Sequence, residues 1–370
     1  MSVPTGSDDI SSQVKDELRG TSFECDEVAV LTGGNANFVF RGHLAKPLPS
    51  GAEHVLIKHG EGYVSSNPSF KLPTSRCVIE SESLRALGNL APAENKWCRV
   101  RTPELYQFND KTNTQIQEYL PDAIDLKNYV PKHYEPNTPP SKKAECLGAG
   151  EGLGRWLKDF HDWAVEPEQT GLREGAAANA ALQKLKHATY YQYLLQFVDK
   201  FPAILSDSRP LFEQVKAMAD AELGDDTKLQ TVHGDFWTGN VLLPDKPISP
   251  SAVTPMFVVD WEVVSLGVRV RDVAQMMAEL YMHKVFKEID AGAWLMEGFV
   301  AGYGGLTPEQ AFRAAIHIGC HLVVIGGSVQ GWGSPEAVER VVALGRDMIV
   351  KGWQKDREWF AGRVVSCLFG

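Results

Sequence analysis

The chain has 370 residues, 44% of them hydrophobic and 23% charged, which suits a globular protein large enough for two lobes. Its formal net charge of −10 argues against a nucleic-acid partner, because such proteins present a basic face to phosphates. No apolar run approaches the roughly 18 residues that span a membrane. The six cysteines form neither a CxxC pair nor a metal-ligand spacing, which favours a reduced, cytoplasmic protein.

The first third of the chain predicts a small sheet lobe. Residues 1–20 are expected to form a flexible tail and a short helix, and 76–90 has the apolar spacing of a longer helix. Short β-rich runs bounded by turn residues predict strands at 28–45 (two, joined by a glycine turn), 54–60, 99–110 and 114–126. We therefore expect a five-stranded antiparallel sheet with one helix as an N-terminal lobe over residues 21–120.

The remainder of the chain, 121–370, predicts a mostly helical lobe. Helical apolar spacing recurs at 150–166, 176–202, 208–223, 270–290, 293–303, 308–325 and 335–361. The fold class is therefore expected to be α+β, with two lobes that meet near 118–122.

Two motifs in the helical lobe carry the chemistry, HGDFWTGN and, twenty residues on, VVDWE. Asp235 follows a His and precedes Asn240 by five residues, and Asp260 ends an apolar strand. A carboxylate at the first position can accept a hydroxyl proton during phosphoryl transfer. The amide and carboxylate oxygens of the other two residues are ligands that Mg²⁺ prefers. His233 is interpreted as a structural residue that fixes the loop.

A glycine turn and a strand lysine precede these motifs. Gly33, Gly34 and Asn35 lie between two predicted strands, where backbone N–H groups could approach nucleotide phosphates. A glycine pair alone is also an ordinary hairpin, and Lys58 alone would be an edge lysine in solvent. Glycine hairpin, then strand lysine, then helix acid is the order in which a kinase lysine contacts the phosphates and an acid holds the lysine.

Two acids on the 76–90 helix compete to hold the lysine. Glu80 shares a helix face with Leu84 and Leu87, so it should point towards the sheet. Glu82 lies about 200° round the helix and should face water. We therefore expect Glu80 to pair with Lys58.

The order GGNANFVF, LIK, IESESLRAL, IQEYL, HGDFWTGNVLL and VVDWE resembles the aminoglycoside phosphotransferase and choline kinase branch of the protein-kinase fold. Within it, residues 28–361 are most similar to methylthioribose kinases and their fungal relatives, such as 4-hydroxytryptamine kinases. The resemblance implies a protein-kinase-like bilobal fold and an ATP-binding cleft between lobes. It also implies Mg²⁺ and a small-molecule acceptor with a hydroxyl group.

Residue roles follow from the same resemblance. It implies Asp235 as the base and Asn240 with Asp260 as the metal ligands. It implies nucleotide contacts from the glycine loop, Lys58 and Glu80, from Asn37, and from the hinge backbone at Glu118 and Leu120.

The chain also departs from these relatives. Methylthioribose kinases usually carry Ser in place of Asn240 and a DPEF-like motif in place of DWE, which puts methylthioribose itself in doubt as the substrate. No DFG or APE motif follows Asp260, so a protein substrate is not expected.

The acceptor pocket is expected in the helical lobe. Trp237, Glu262 and Trp332 are candidates, although Trp332 could equally be core and the role of Glu262 is undecided. Asp272 is interpreted as a support for the catalytic-loop backbone and as an N-terminal charge on its helix. The rival functions are a catalytically inactive nucleotide-binding protein and, further behind, a metal hydrolase, for which the histidines do not cluster.

Overall fold

The computed structural model describes residues 6–31, 34, 36–328 and 332–370. The chain divides into two compact units. The first runs up to Asn89 and includes Thr102–Pro121, and the second holds Leu90–Arg101 and everything from Asp122 onward. Within the described ranges, no helix has both the length and the apolar character that crossing a bilayer requires.

The strands are short and lie in both units. In chain order they are β1 Cys25–Val30, β2 Phe38–Leu44, β3 His54–His59, β4 Tyr63–Val64, β5 Asn67–Lys71, β6 Ala93–Glu94, β7 Cys98–Arg101, β8 Leu105–Asn109, β9 Thr114–Glu118, β10 Ala123–Asp125, β11 Gln230–Val232, β12 Val241–Pro244, β13 Thr254–Val258 and β14 Ser265–Gly267.

The helices dominate the second unit. In chain order they are α1 Ser7–Leu18, α2 Ser75–Leu87, α3 Leu126–His133, α4 Lys143–Trp163, α5 Thr170–Ala178, α6 Ala180–His187, α7 Tyr193–Lys200, α8 Pro202–Leu205, α9 Arg209–Leu223, α10 Val270–Lys287, α11 Asp290–Gly302, α12 Pro308–Val324, α13 Pro335–Trp353 and α14 Arg357–Phe360. A sheet-rich unit followed by a helical one confirms the α+β prediction.

The first unit is built on an antiparallel sheet with the strand order β1-β2-β3-β9-β8. Helix α1 buries Ile10, Val14 and Leu18 in the same apolar cluster as the sheet residues. Their spacing of four residues places them on one helix face, so α1 belongs to the core of this unit. The predicted connector between β3 and α2 contains the hairpin β4–β5, whose β5 residues are all exposed.

The second unit has its own five-stranded sheet, in the order β10-β12-β13-β7-β6. Strand β7 pairs parallel with β13, and its inward residues Cys98 and Val100 are fully buried. The prediction that 99–110 forms a strand of the N-terminal lobe was therefore wrong for its first residues. Only β8 joins the first sheet, because β7 finds a partner about 150 residues later in the chain.

Residues 176–202 form several pieces rather than the single predicted helix. Asn179 interrupts the helix between α5 and α6 with a backbone at φ −85° and ψ 33°. A π-helical turn, Ala188–Gln192, then separates α6 from α7. Single π turns inside helices are frequent at functional sites.

Helices α4 and α11 approach so closely that their contact requires glycine. A Cβ on Gly154 would lie 2.0 Å from the Phe299 carbonyl oxygen, and one on Gly302 would lie 2.0 Å from that of Glu151. This contact fixes α4, whose last turn carries the fully buried His161.

Candidate functional site

The first unit contains a buried polar network around Glu80. Lys58 Nζ donates to Glu80 Oε1 at 2.7 Å, and Gln115 Nε2 donates to Glu80 Oε2 at 3.0 Å. Gln117 in turn donates to Gln115 at 2.8 Å. Glu80 is 1% exposed, whereas Glu82 on the same helix is exposed. The structure thus places Lys58 against one oxygen of Glu80 and Gln115 of β9 against the other, with Gln117 holding Gln115.

The glycine loop before β2 is held to helix α2. Gly33 and Asn35 lie outside the described residues, and Gly34 is exposed. The Asn37 side-chain oxygen accepts a hydrogen bond of 2.9 Å from Arg76, which is fully buried. Asn37, a predicted nucleotide contact, therefore anchors the end of the loop to α2 through its amide oxygen.

The end of β9 and the residues just after it contain the two expected hinge residues. Glu118 ends β9, and its backbone N–H donates to the Glu104 carbonyl at 2.8 Å. Leu120 follows β9 and lies outside regular secondary structure. The backbone N–H of Glu118 is thus already used within the first unit.

In the second unit, Asp272 holds the start of the HGD loop. Its Oδ2 accepts the His233 backbone N–H at 2.8 Å, and its Oδ1 accepts the Gly234 N–H at 3.0 Å. His161 Nε2 also donates to Oδ2, at 3.1 Å. Burial would raise the pKa of the Asp272 carboxyl, but the hydrogen bond from His161 and the nearby His233 outweigh it and lower that pKa.

The His233 side chain ties the loop to the strand that leads to Asp260. Its Nε2 lies 3.0 Å from the Val259 carbonyl oxygen, and its Nδ1 accepts the Asp235 backbone N–H at 3.3 Å. These two contacts fit the tautomer that carries its proton on Nε2. His233 is fully buried and has the position that a structural residue of the loop requires.

The Asp235 carboxylate is held through one of its two oxygens. Lys186 Nζ lies 2.5 Å from Oδ1, and Gln275 Nε2 donates to the same oxygen at 2.7 Å. Among the described residues, Oδ2 has no hydrogen-bond partner. The arrangement therefore leaves one carboxylate oxygen available to accept a proton.

Asn240 and Asp260 are neighbours across an antiparallel strand pair. Val241 pairs with Val258, and the Val259 N–H donates to the Asn240 carbonyl at 3.0 Å, which brings Asp260 beside Asn240. The Asn240 amide nitrogen donates to the Asp235 carbonyl at 3.0 Å. This bond turns the amide oxygen away from that carbonyl. Amide and carboxylate oxygens are donors of the kind that suits Mg²⁺.

The segment after Asp260 is fixed from a neighbouring helix. The Asn179 amide nitrogen donates to the carbonyl oxygens of Glu262 and Val264, both at 2.8 Å. Glu262 itself is 4% exposed. Asn179 therefore sets the path of the backbone that follows the proposed metal ligand.

The two tryptophans suggested for the acceptor pocket share one cation. The Lys127 ammonium lies 5.1 Å from the Trp237 ring centroid and 5.3 Å from that of Trp332. Trp332 is 6% exposed and packs against His283 and Phe286 of α10. Its burial agrees with the alternative that Trp332 is a core residue.

Sequence reasoning missed several residues that contact the predicted ones. Three of them, Lys186, Gln275 and Asn179, lie far along the chain from the motifs that they touch. Their signal was weak, because each is a polar residue within a helical segment and would ordinarily face solvent. Gln115 and Gln117 alternate along β9, which resembles the solvent-facing side of a strand, yet both are buried.

Comparisons with known proteins place this site in a family. Residues 45–312 match the model of the phosphotransferase enzyme family. The phosphotransferase FrzJ of Cladobotryum sp is 30% identical over 376 residues, covering 98% of this chain and 97% of that protein. The 4-hydroxytryptamine kinase of Psilocybe cubensis is 22% identical, covering 83% of this chain and 82% of that protein.

A solved choline/ethanolamine kinase family protein from Mesorhizobium loti aligns over 98% of this chain and 100% of its own, with 14% identity and a TM-score of 0.47. The family match covers well over half of the chain, including the HGDFWTGN and VVDWE motifs. The family that those motifs predicted is thereby confirmed, and the chain belongs to the phosphotransferase enzyme family.

Proposed function

We propose that this chain is an ATP-dependent kinase that transfers the γ-phosphoryl group to a hydroxyl group of a small metabolite. The observation that carries the proposal is the Asp235 carboxylate, whose Oδ1 is held by two side chains while Oδ2 has no partner among the described residues. A fixed carboxylate with one available oxygen is what a base for a hydroxyl proton requires.

The reaction step assigns a role to each group of the second unit. The acceptor hydroxyl gives its proton to Asp235 Oδ2 while its oxygen forms a bond to the γ-phosphorus of ATP. The bond between that phosphorus and the bridging oxygen breaks, and ADP leaves with the electron pair. His233 and Asp272 keep the loop in place, so positioning supplies much of the rate.

Asn240 and Asp260 are the residues that would hold Mg²⁺, since they lie side by side and offer only oxygen donors from side chains. The ion would neutralise charge on the phosphate oxygens. In the first unit, the Lys58–Glu80 pair is buried and ready to present an ammonium group to the nucleotide phosphates. For adenine, the Leu120 N–H and the Glu118 carbonyl are the proposed contacts, because the Glu118 N–H is already engaged.

The acceptor is proposed to be a small hydroxylated molecule rather than a protein. One relative is named for 4-hydroxytryptamine, so hydroxyindole amines belong in the first panel of acceptors. Choline, ethanolamine, methylthioribose, homoserine, hydroxylysine and aminoglycosides complete it.

The test is ADP release from Mg²⁺–ATP with each acceptor, for the wild type, Asp235→Asn and the surface control Asp226→Asn. We expect at least one acceptor to raise turnover, and Asp235→Asn to reduce it by about 10²- to 10⁴-fold. The control should match the wild type, since Asp226 is exposed. Full turnover in Asp235→Asn would contradict the proposal. ATP binding without turnover on any acceptor would favour an inactive nucleotide-binding protein.

A further inference from the structure

Helix α6 presents a row of polar side chains to the catalytic elements. Asn179, at its start, bonds the carbonyls after Asp260. Gln183 Nε2 donates to the Leu266 carbonyl at 2.6 Å, and Lys186 reaches Asp235. Gln183 and Lys186, three residues apart, lie on one face of α6, and Asn179 caps the start of the helix. The polar face of α6 is thus directed at the catalytic loop and at the segment after Asp260, and not at solvent.

The backbone next to Lys186 is irregular in the same place. The π-helical turn Ala188–Gln192 begins two residues after it and contains Tyr190, which is 2% exposed. A π turn is rare compared with regular helix and is frequent at functional sites. The π turn is therefore an observation, independent of the polar contacts of α6, that also indicates a functional role for this end of the helix.

The ion pair brings Asp235 a cation that the HGDFWTGN segment itself does not contain. HGDFWTGN has no Lys or Arg between Asp235 and Asn240, so the loop itself supplies no positive charge beside the base. The side chains of Lys186 and Asp235 are 22% and 16% exposed, respectively. Holding a lysine in so enclosed a position loses rotamer entropy and hydration, which an ordinary surface pair would avoid.

We propose that Lys186 is a positioning residue of the phosphoryl transfer, which fixes Oδ1 of Asp235 so that Oδ2 faces the acceptor hydroxyl. Gln275 holds the same oxygen from α10, so the carboxylate is clamped from two helices. When Oδ2 takes the acceptor proton, the ammonium and the amide keep the carboxyl group from rotating. The inference rests on the proposed function, because it assigns Lys186 a task only if Asp235 is the base.

The experiment compares Lys186→Met, Lys186→Arg and the control Lys184→Met, an exposed lysine on the same helix. ADP release from Mg²⁺–ATP is measured with water as the acceptor and with the best acceptor of the panel. We expect Lys186→Met to lower kcat by about 10²-fold, the scale of losing one preorganised charged donor. The KM values for ATP and acceptor should stay within about 2-fold, because Lys186 touches the base and not the ligands.

Lys186→Arg should recover at least about a tenth of the wild-type kcat, since a guanidinium group can also donate to Oδ1. Thermal unfolding of all three variants identifies a structural effect. Wild-type kcat in Lys186→Met, or equal losses in the Met and Arg variants with a lowered melting temperature, would overturn this inference alone. Turnover that survives Asp235→Asn, or a wild type that releases no ADP, would overturn the proposed function and this inference with it.

Discussion

Two residues of the site, Gly234 and Asp260, adopt the left-handed backbone conformation. Gly234 has φ +80° and lies between His233 and the proposed base, Asp235. Asp260, the proposed metal ligand, has φ 67° and ψ 59°, which is uncommon for a residue with a Cβ. Such conformations persist only where the surrounding contacts hold them, and they concentrate at functional sites. The directions of the Asp235 and Asp260 carboxylates therefore depend on left-handed backbone geometry at Gly234 and at Asp260, which few other residue types tolerate.

Gly234→Ala is predicted to damage both stability and turnover. The new Cβ would lie 2.4 Å from the Val263 carbonyl oxygen, in addition to the unfavourable φ. We expect the free energy of unfolding to fall by about 2 to 4 kcal/mol, the combined scale of a left-handed residue and an overpacked contact. Urea unfolding and ADP release measure the two effects. Gly224→Ala is the matched control, because its Cβ would have no neighbour nearer than 3.7 Å. Equal stability of the two variants would contradict the prediction.

The site residues that the sequence predicted are those that local rules identify. Helix periodicity separated Glu80 from Glu82, because Glu80 shares the apolar face of α2. The HGD and DWE motifs identified Asp235, Asn240 and Asp260 as one group. Lys186 could not be predicted in this way, since its contact with Asp235 spans 49 residues and depends on how two helices pack. A local sequence pattern predicts which face of a helix a residue lies on. It does not predict which side chain from a distant part of the chain contacts that residue.

At the scale of elements, α6 acts as a support for the segment after Asp260. Asn179 stands where α5 ends and α6 begins, and it is 2% exposed. Its single amide group donates to two carbonyls, those of Glu262 and Val264. Because buried carbonyls without a donor are costly, the junction of two helices controls the backbone next to the proposed metal ligand.

Asn179→Ala is predicted to destabilise the protein and loosen metal binding. Two carbonyls in a buried segment would each lose the hydrogen bond from Asn179, so the free energy of unfolding should fall by about 2 to 4 kcal/mol. We also expect half-maximal ADP release to need more Mg²⁺, because Asp260 precedes the released segment. A Mg²⁺ titration and urea unfolding test this, with Asn89→Ala as the control, since Asn89 is exposed and its side chain makes one local bond of 3.3 Å. An unchanged Mg²⁺ requirement would separate Asn179 from the metal site.

The predictions of helices and strands were correct where the sequence pattern is local. They were wrong where a strand pairs with a partner that is distant in the chain. The strands β1, β2 and β3 follow one another as hairpin neighbours, and the sequence placed all of them. Strand β7 was assigned to the wrong lobe, because its parallel partner β13 is distant in sequence. The break of 176–202 at Asn179 was missed as well, since Asn within a helical pattern lowers helix propensity only slightly.

At the scale of the whole molecule, burial of histidines makes stability sensitive to acid. Burial lowers the pKa of His161, His187, His283 and His317, and takes that of His283 to about 3. Below the usual value of 6.5, the unfolded chain gains protons that the folded chain does not bind. The contribution of each such histidine is therefore complete above about pH 6.5 and is lost as the pH falls towards the folded pKa. Carboxylates with lowered pKa, such as Asp272, add a further loss only at lower pH.

His283→Leu is predicted to reduce this sensitivity. His283 is fully buried, and neither ring nitrogen has a hydrogen-bond partner among the described residues, so a leucine removes polar atoms that gain nothing there. The groups around it are Glu279, which favours the protonated imidazole, and Lys127 and Lys287, which oppose it. Between about pH 6 and about pH 5, the free energy of unfolding should fall by about 1 kcal/mol less in the variant than in the wild type.

Urea unfolding, followed by tryptophan fluorescence at both pH values, measures how steeply the free energy of unfolding falls with pH in the wild type and in the variant. His43→Leu, at a partly exposed histidine of β2, controls for the loss of an imidazole as such. A wild-type slope in His283→Leu would mean that the folded protein admits a proton at this position. The acid sensitivity would then have to come from the three remaining histidines, of which only His187 lies near the surface. Because the buried histidines of α4, α10 and α12 all lie in the helical unit, the same measurement locates the acid-labile part of the chain there.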